Sequence, residues 1–127
     1  MKVQSHNAPR EVIPNVHQLR LDKLKGNIES NNVDYVKQNI TWLKNLADIY
    51  QNDELQYLCY MAMAAVNPKG CVKAYCDRKD DKYWHTFWSY VAFLKLEDKQ
   101  NAESVLLELD SWSNYMPEDN QKILASL

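Results

Sequence analysis

Asp80 to Lys99 reads DDKYWHTFWSYVAFLKLEDK, and its one histidine, His85, is the first side chain with chemistry to offer. An imidazole titrates near neutrality and can act as a general base. That work needs an orienting acceptor and a reacting group within hydrogen-bond reach. Asp81 stands four residues earlier, and Cys76 is a nucleophile candidate, so His85 with Asp81 or Cys76 is the least implausible hydrolytic centre. The same Asp81–His85 spacing serves ordinary helix stabilisation. A surface or boundary position is therefore the expectation for His85.

The cysteines Cys59, Cys71 and Cys76 raise a metal reading. Cys71 and Cys76 sit at the upper edge of zinc-ligand spacing, and no second pair follows. A site of three sulfurs and the His85 nitrogen would need the fold to gather all four. Buried free thiols are the expectation. The carboxylate pairs Glu97-Asp98, Glu108 with Asp110, and Glu118-Asp119 carry neither the calcium-loop pattern nor the Glu-x-x-His element of di-iron bundles. There is no glycine-rich phosphate loop, dinucleotide-binding loop, HExxH, serine elbow or zinc-finger spacing. No catalytic residue, metal ligand or cofactor is assigned, and a binding protein is favoured over an enzyme.

Six aromatics crowd the same stretch: Tyr83, Trp84, Phe87, Trp88, Tyr90 and Phe93. Trp84 and Trp88 are four apart, as are Phe87 and Val91, so each pair stacks along one helical face. Trp84, Phe87, Trp88, Val91 and Leu94 are expected to face inward. Tyr83, Tyr90 and Phe93 fall off that face. A tyrosine combines apolar area with a hydroxyl, which suits a partner interface, so Tyr83 and Tyr90 are candidate contacts.

The positioning elements all read as helices. Only 2 glycines and 4 prolines occur in 127 residues, too few for a hairpin-rich fold. Met1 to Pro14 has no period and is expected as an irregular arm, with one helical domain over 15–127. Asn15 is a cap candidate for a helix carrying Val16, Leu19, Leu24 and Ile28. Val33, Val36, Ile40, Leu43, Ala47 and Tyr50 recur at three and four, the spacing of one helix face. Asn52 or Asp53 opens a third helix with Leu55, Leu58, Cys59, Ala62 and Val66 inward, ended by NPKG at Asn67 to Gly70. Cys71 to Cys76 reads as a short helix or a folded connection. The aromatic helix follows from about Asp80 or Asp81. After the KLEDKQN turn, with Asn101 as cap, Ala102, Val105, Leu106, Leu109 and Trp112 form another stripe. Pro117 fits the first position of a last helix.

These patterns predict an all-α bundle of about five or six helices, with a helical hairpin in its C-terminal half. The hairpin's lengths resemble one tetratricopeptide unit over Tyr83 to Trp112. The glycine that such a unit carries in its first helix is absent, and no second copy follows at a fixed period.

Charge points toward a function class. The formal net charge of -2 lacks the basic footprint of a general nucleic-acid binder, so nucleic acid is not the expected partner. From Glu97 to Leu127, seven acidic residues stand against Lys99 and Lys122, a net of -5. That segment would attract a basic protein. Glu103, Glu108, Asp110, Glu118 and Asp119, with Trp112 and Tyr115, are the candidate dock. No apolar run is long enough to span a bilayer, and no secretory leader is evident, so a cytosolic protein is expected. The reading is a small protein-binding protein, in its sharpest form an inhibitor or immunity protein that blocks the cleft of a basic toxin or nuclease. A helical scaffold or adapter is the alternative, followed by the hydrolytic enzyme above.

Overall fold

Asn15 to Glu29 forms α1, because Leu21, Leu24 and Ile28 recur at three and four and are buried together. In the computed structural model, which describes residues 12–78 and 82–127, α1 is followed by α2 (Val33–Ile49) and α3 (Asp53–Val66). Next come α4 (Pro68–Asp77), α5 (Tyr83–Lys95), α6 (Lys99–Asp110) and α7 (Glu118–Ser126). The described residues are all-α, with seven helices and no strand. No helix among them is long and apolar enough to cross a membrane. Most of the expected arm, 1–11, lies outside the described residues, as do Asp80 and Asp81.

The count exceeds the expected five or six because the stretch after Asn67 is a full helix. Asn67 caps the end of α3, as the sequence suggested, but Pro68 then opens α4 and Gly70 lies inside it. Proline is pre-organised for a first helical turn, so it starts the next helix as well as preventing continuation of the last.

Contacts divide the chain into two compact units, Met1–Asn67 and Pro68–Leu127. In the first, α2 packs on both α1 and α3, and α1 also touches α3. Val36, Leu43, Leu46 and Ala47 of α2 are buried, as are Leu55, Leu58, Cys59, Ala62 and Met63 of α3. Asn52 caps α3 by accepting from the Glu54 and Leu55 amides, at 2.9 and 3.3 Å. Val16 and Leu19 correct the expected face of α1. They are 80% and 81% exposed, because the Leu21–Leu24–Ile28 stripe outcompetes them for the interior.

In the second unit α5 is the central element, packed against α4 and α6. It is buried nearly all round: Phe87, Trp88, Val91, Ala92 and Phe93 pack inward together with Thr86 and Ser89. Full burial of a side chain like Phe87 contributes roughly 1.5–3 kcal/mol. Phe93, expected off the main face, is inside, while Leu94, expected inside, is partly exposed. Two flanking helices cover more than one face of α5, so a single-stripe reading is too narrow. For the same reason His85, expected at a boundary, is buried at 5% exposure.

The α5–α6 connection also differs from expectation. Asp98, rather than Asn101, caps α6, its carboxylate accepting from the Asn101 amide at 3.2 Å and the Asn101 side chain at 2.7 Å. Glu97 turns left-handed at φ 58 and ends α5, with the Glu97 amide donating to Leu94 O and the Asp98 amide to Phe93 O. That tight reversal starts α6 three residues earlier than a cap at Asn101 would. At the last helix, Pro117 is the cap position and α7 begins at Glu118.

Candidate functional site

The C-terminal edge of the second unit places most of the sequence-predicted contact residues at the surface. Glu103 and Asp110 lie seven residues apart on α6, hence on one helical face, with the exposed Leu107 between them. Both carboxylates are exposed and have no cationic partner among the described residues. After α6 the chain turns through Ser111 to Met116. There the Tyr115 ring, 70% exposed, meets the half-buried Trp112 edge-on at 5.9 Å. Glu118 and Asp119 then occupy the first turn of α7, where the helix dipole favours carboxylates. Glu118 pairs loosely with Lys122 at 3.5 Å, and Asp119 has no cation beside it among the described residues.

Between α6 and α7 a cavity of ≈ 310 Å³ opens at this edge. Leu109, Met116, Leu124 and Ala125 give it an apolar floor, and Asp110, Ser113 and Gln121 supply polar atoms. Gln121 Nε2 donates to Met116 O at 2.9 Å, which fixes the amide and leaves its oxygen as an acceptor. An apolar recess rimmed by a carboxylate and an acceptor suits a side chain with an aliphatic stem and a cationic head.

Three of the predicted contacts are held elsewhere. Tyr83 is half-buried and donates to Asn120 Oδ1 at 3.3 Å, linking the start of α5 to α7. Tyr90 is half-buried and packs on Phe93, Ala102 and Val105, together with Val72 and Tyr75. Glu108 turns into the helix junction. It accepts a hydrogen bond from the Tyr75 hydroxyl, a 3.0 Å bond from Arg78 Nη2 and a 3.4 Å contact from Thr86 Oγ1. Arg78 lies over the Tyr75 ring at 3.9 Å and donates to the Tyr75 carbonyl at 2.5 Å. Burial, followed by the Glu108 carboxylate, pushes the Tyr75 phenol up to about 12. This knot ties α4, α5 and α6 together. Tyr75, Arg78 and Thr86 went unnoticed in the sequence, where only the three-residue spacing of Tyr75 and Arg78 hinted at a pair.

The other candidate centres are dispersed. Cys59 and Cys71 are buried, and their thiols are pushed up to about 12, chiefly by burial. Cys59 donates to Leu43 O at 3.8 Å and Cys71 to Trp88 O at 3.7 Å. Cys76, also expected buried, is exposed because the outer side of α4 carries it. Among the described residues, no three His, Cys, Asp or Glu side chains are placed to share a metal ion. The Asp81 partner suggested for His85 lies outside the described residues.

Comparison of the chain with protein-family models, with curated proteins and with solved structures returns no match.

Proposed function

We propose that this chain is a small protein-binding protein whose C-terminal edge receives a basic partner. One observation carries the reading. Glu103, Asp110 and Asp119 are exposed without ion pairs among the described residues, Tyr115 is exposed between the two helices that carry them, and Asp110 lines a recess with an apolar floor. Aromatic anchors with a carboxylate rim supply contact area and steering together. In its sharpest form the chain is a cytosolic inhibitor or immunity protein. It would seat this edge in the cationic cleft of a toxin or nuclease and exclude the acidic substrate. Glu108, already committed to Tyr75 and Arg78, contributes to the scaffold beneath the edge rather than to the contact.

The test combines capture with inhibition. Proteins retained from native lysate at low and moderate salt are compared for the wild-type chain and a variant carrying Asp110→Asn, Glu118→Gln and Asp119→Asn. A stoichiometric basic partner should be lost by the variant, with affinity reduced about tenfold or more. The purified partner's activity should fall on addition of the wild-type chain. Capture that survives neutralisation of these carboxylates would sink the electrostatic mechanism. A partner equally active in the complex would make the chain a scaffold.

A further inference from the structure

The recess between α6 and α7 has a fixed frame. Past Asp110 the chain folds through consecutive tight turns. The amides of Ser111, Trp112, Ser113 and Tyr115 donate to the carbonyls of Glu108, Leu109, Asp110 and Trp112, at 3.1, 2.9, 3.2 and 2.9 Å. Leu109 and Met116 are 1% and 7% exposed, so the floor belongs to the core and shifts only at a cost in packing. Gln121 pins α7 to this turn twice. Its backbone N–H donates to Pro117 O at 3.1 Å, and its side chain holds Met116 O at 2.9 Å. The walls therefore stand in place before anything enters.

The electrostatics of this frame favour a cation. Asp110 closes α6, at the end of the helix where the backbone dipole is negative, and no basic residue stands in that last turn. A carboxylate there adds to the field instead of cancelling it. Glu108 is compensated by Arg78 at 3.0 Å, but Asp110 makes no ion pair among the described residues. The lysines of the same segment do not supply the missing charge. Lys122 is drawn to Glu118 at 3.5 Å, and Lys99 starts α6 at its far end.

We propose that the recess receives a lysine side chain, its stem against Leu109, Met116 and Leu124 and its ammonium against the Asp110 carboxylate. On the reading of this edge as the docking surface for a basic partner, lysine is the residue it selects. At ≈ 310 Å³ the cavity lies at the bottom of the range for small-molecule sites, about 300–1,000 Å³, and it opens to solvent. One long side chain entering from an apposed surface fits that shape. A neutral apolar side chain would strip water from an unpaired carboxylate. Ser113 and Gln121 add single acceptors on separate elements beside Asp110. An ammonium on a four-carbon stem divides its three donors among such acceptors, whereas a guanidinium fork is matched to one carboxylate.

Pentylammonium, a lysine side chain with its α-carbon, is titrated into the intact chain beside butylguanidinium, the arginine equivalent, and pentanol, the neutral stem. NMR follows the Met116 and Leu124 methyls and the Gln121 side-chain amide. The ammonium should shift all three saturably, with a Kd on the order of millimolar, and should bind about fivefold or more tightly than either comparator. Asp110→Asn should weaken it about fivefold or more. Ala125→Leu, which fills the recess without changing charge, should do the same. Circular dichroism should be unchanged in both variants, since both positions are exposed. Equal binding of pentanol or butylguanidinium overturns the proposal, as does an Asp110→Asn chain that binds like wild type, or the absence of shifts at these groups. A dimer of the chain that pentylammonium dissociates also overturns it, because the lysine would then belong to a second copy. The pocket and the docking edge fail separately. A basic partner held by a chain whose recess does not respond sinks the lysine pocket alone. A responsive recess with no partner captured upholds the pocket and sinks the protein-binding reading.

Discussion

Arg20 and Arg78 begin alike and end differently. Each lays its guanidinium on an aromatic ring of its own unit, at 4.0 Å over Trp42 and 3.9 Å over Tyr75. Arg20 then meets the amide oxygen of Asn39, while Arg78 meets the carboxylate of Glu108. A neutral acceptor orients the cation and leaves its charge available outward. A carboxylate cancels the charge, and the partly buried pair joins three helices. The ring positions an arginine in both places; the acceptor decides whether its charge is left outward or cancelled.

The two reversals show a matching contrast. Asn31 and Glu97 both adopt left-handed backbone, at φ 61 and φ 58, and in both turns that residue's amide and the next one donate back to carbonyls of the preceding helix in the same pattern. Asparagine tolerates that conformation and glutamate resists it. After the turn the advantage changes sides. Asp98 caps α6, whereas the Asn32 side chain donates to Asn27 Oδ1 at 2.8 Å and makes no cap bond to α2.

The largest expected effect tests the cohesive arginine. Glu108→Gln should destabilise the chain by about 2 kcal/mol, because Arg78 loses a charged partner in a partly buried site. Urea denaturation measures this. A double-mutant cycle with Arg78→Gln should recover a coupling of about 1 kcal/mol; a coupling near zero would erase the distinction between the two arginines.

The same knot should appear in alkali. The folded Tyr75 pKa of about 12 lies above its ordinary value of 10.0. Its contribution to stability is therefore complete below pH 10 and is lost as the pH rises toward 12. Ultraviolet titration should show a late-ionising component that Tyr75→Phe removes.

A smaller effect separates the turns. Glu97→Gly should stabilise by about 0.5–1 kcal/mol, because glycine adopts the left-handed conformation without the side-chain clash, while Asn31→Gly should be nearly neutral. Thermal unfolding of the two variants makes the comparison, and equal shifts would remove it. Smallest of all, Arg20→Gln should cost about 0.5 kcal/mol, the scale of an exposed cation–ring contact. A loss as large as that of Glu108→Gln would mean that Arg20 is as cohesive as Arg78, and would remove the contrast between them.

The helical class, the inward faces of α2 and α3, the Asn52 cap and the α6 stripe of Ala102, Val105 and Leu109 were all legible in the sequence. Each depends on neighbours within one or two turns. The faces of α1 and α5 were misread for opposite reasons. In α1 two apolar lines compete and spacing cannot rank them. In α5 neighbours cover so much of the helix that no single stripe describes it. The acidic character of the C-terminal segment was legible from charge count, but not that Glu108 would turn inward.

Composition, helical periodicity and capping chemistry determined that this chain is helical, where most of its helices lie and that its C-terminal segment is acidic, because those properties belong to residues close in sequence. Which charges remain at the surface was decided only by tertiary structure. Glu108 meets Arg78 across 30 residues and Asn39 meets Arg20 across 19, and no local pattern foretells whether a cation's partner will be a carboxylate or an amide.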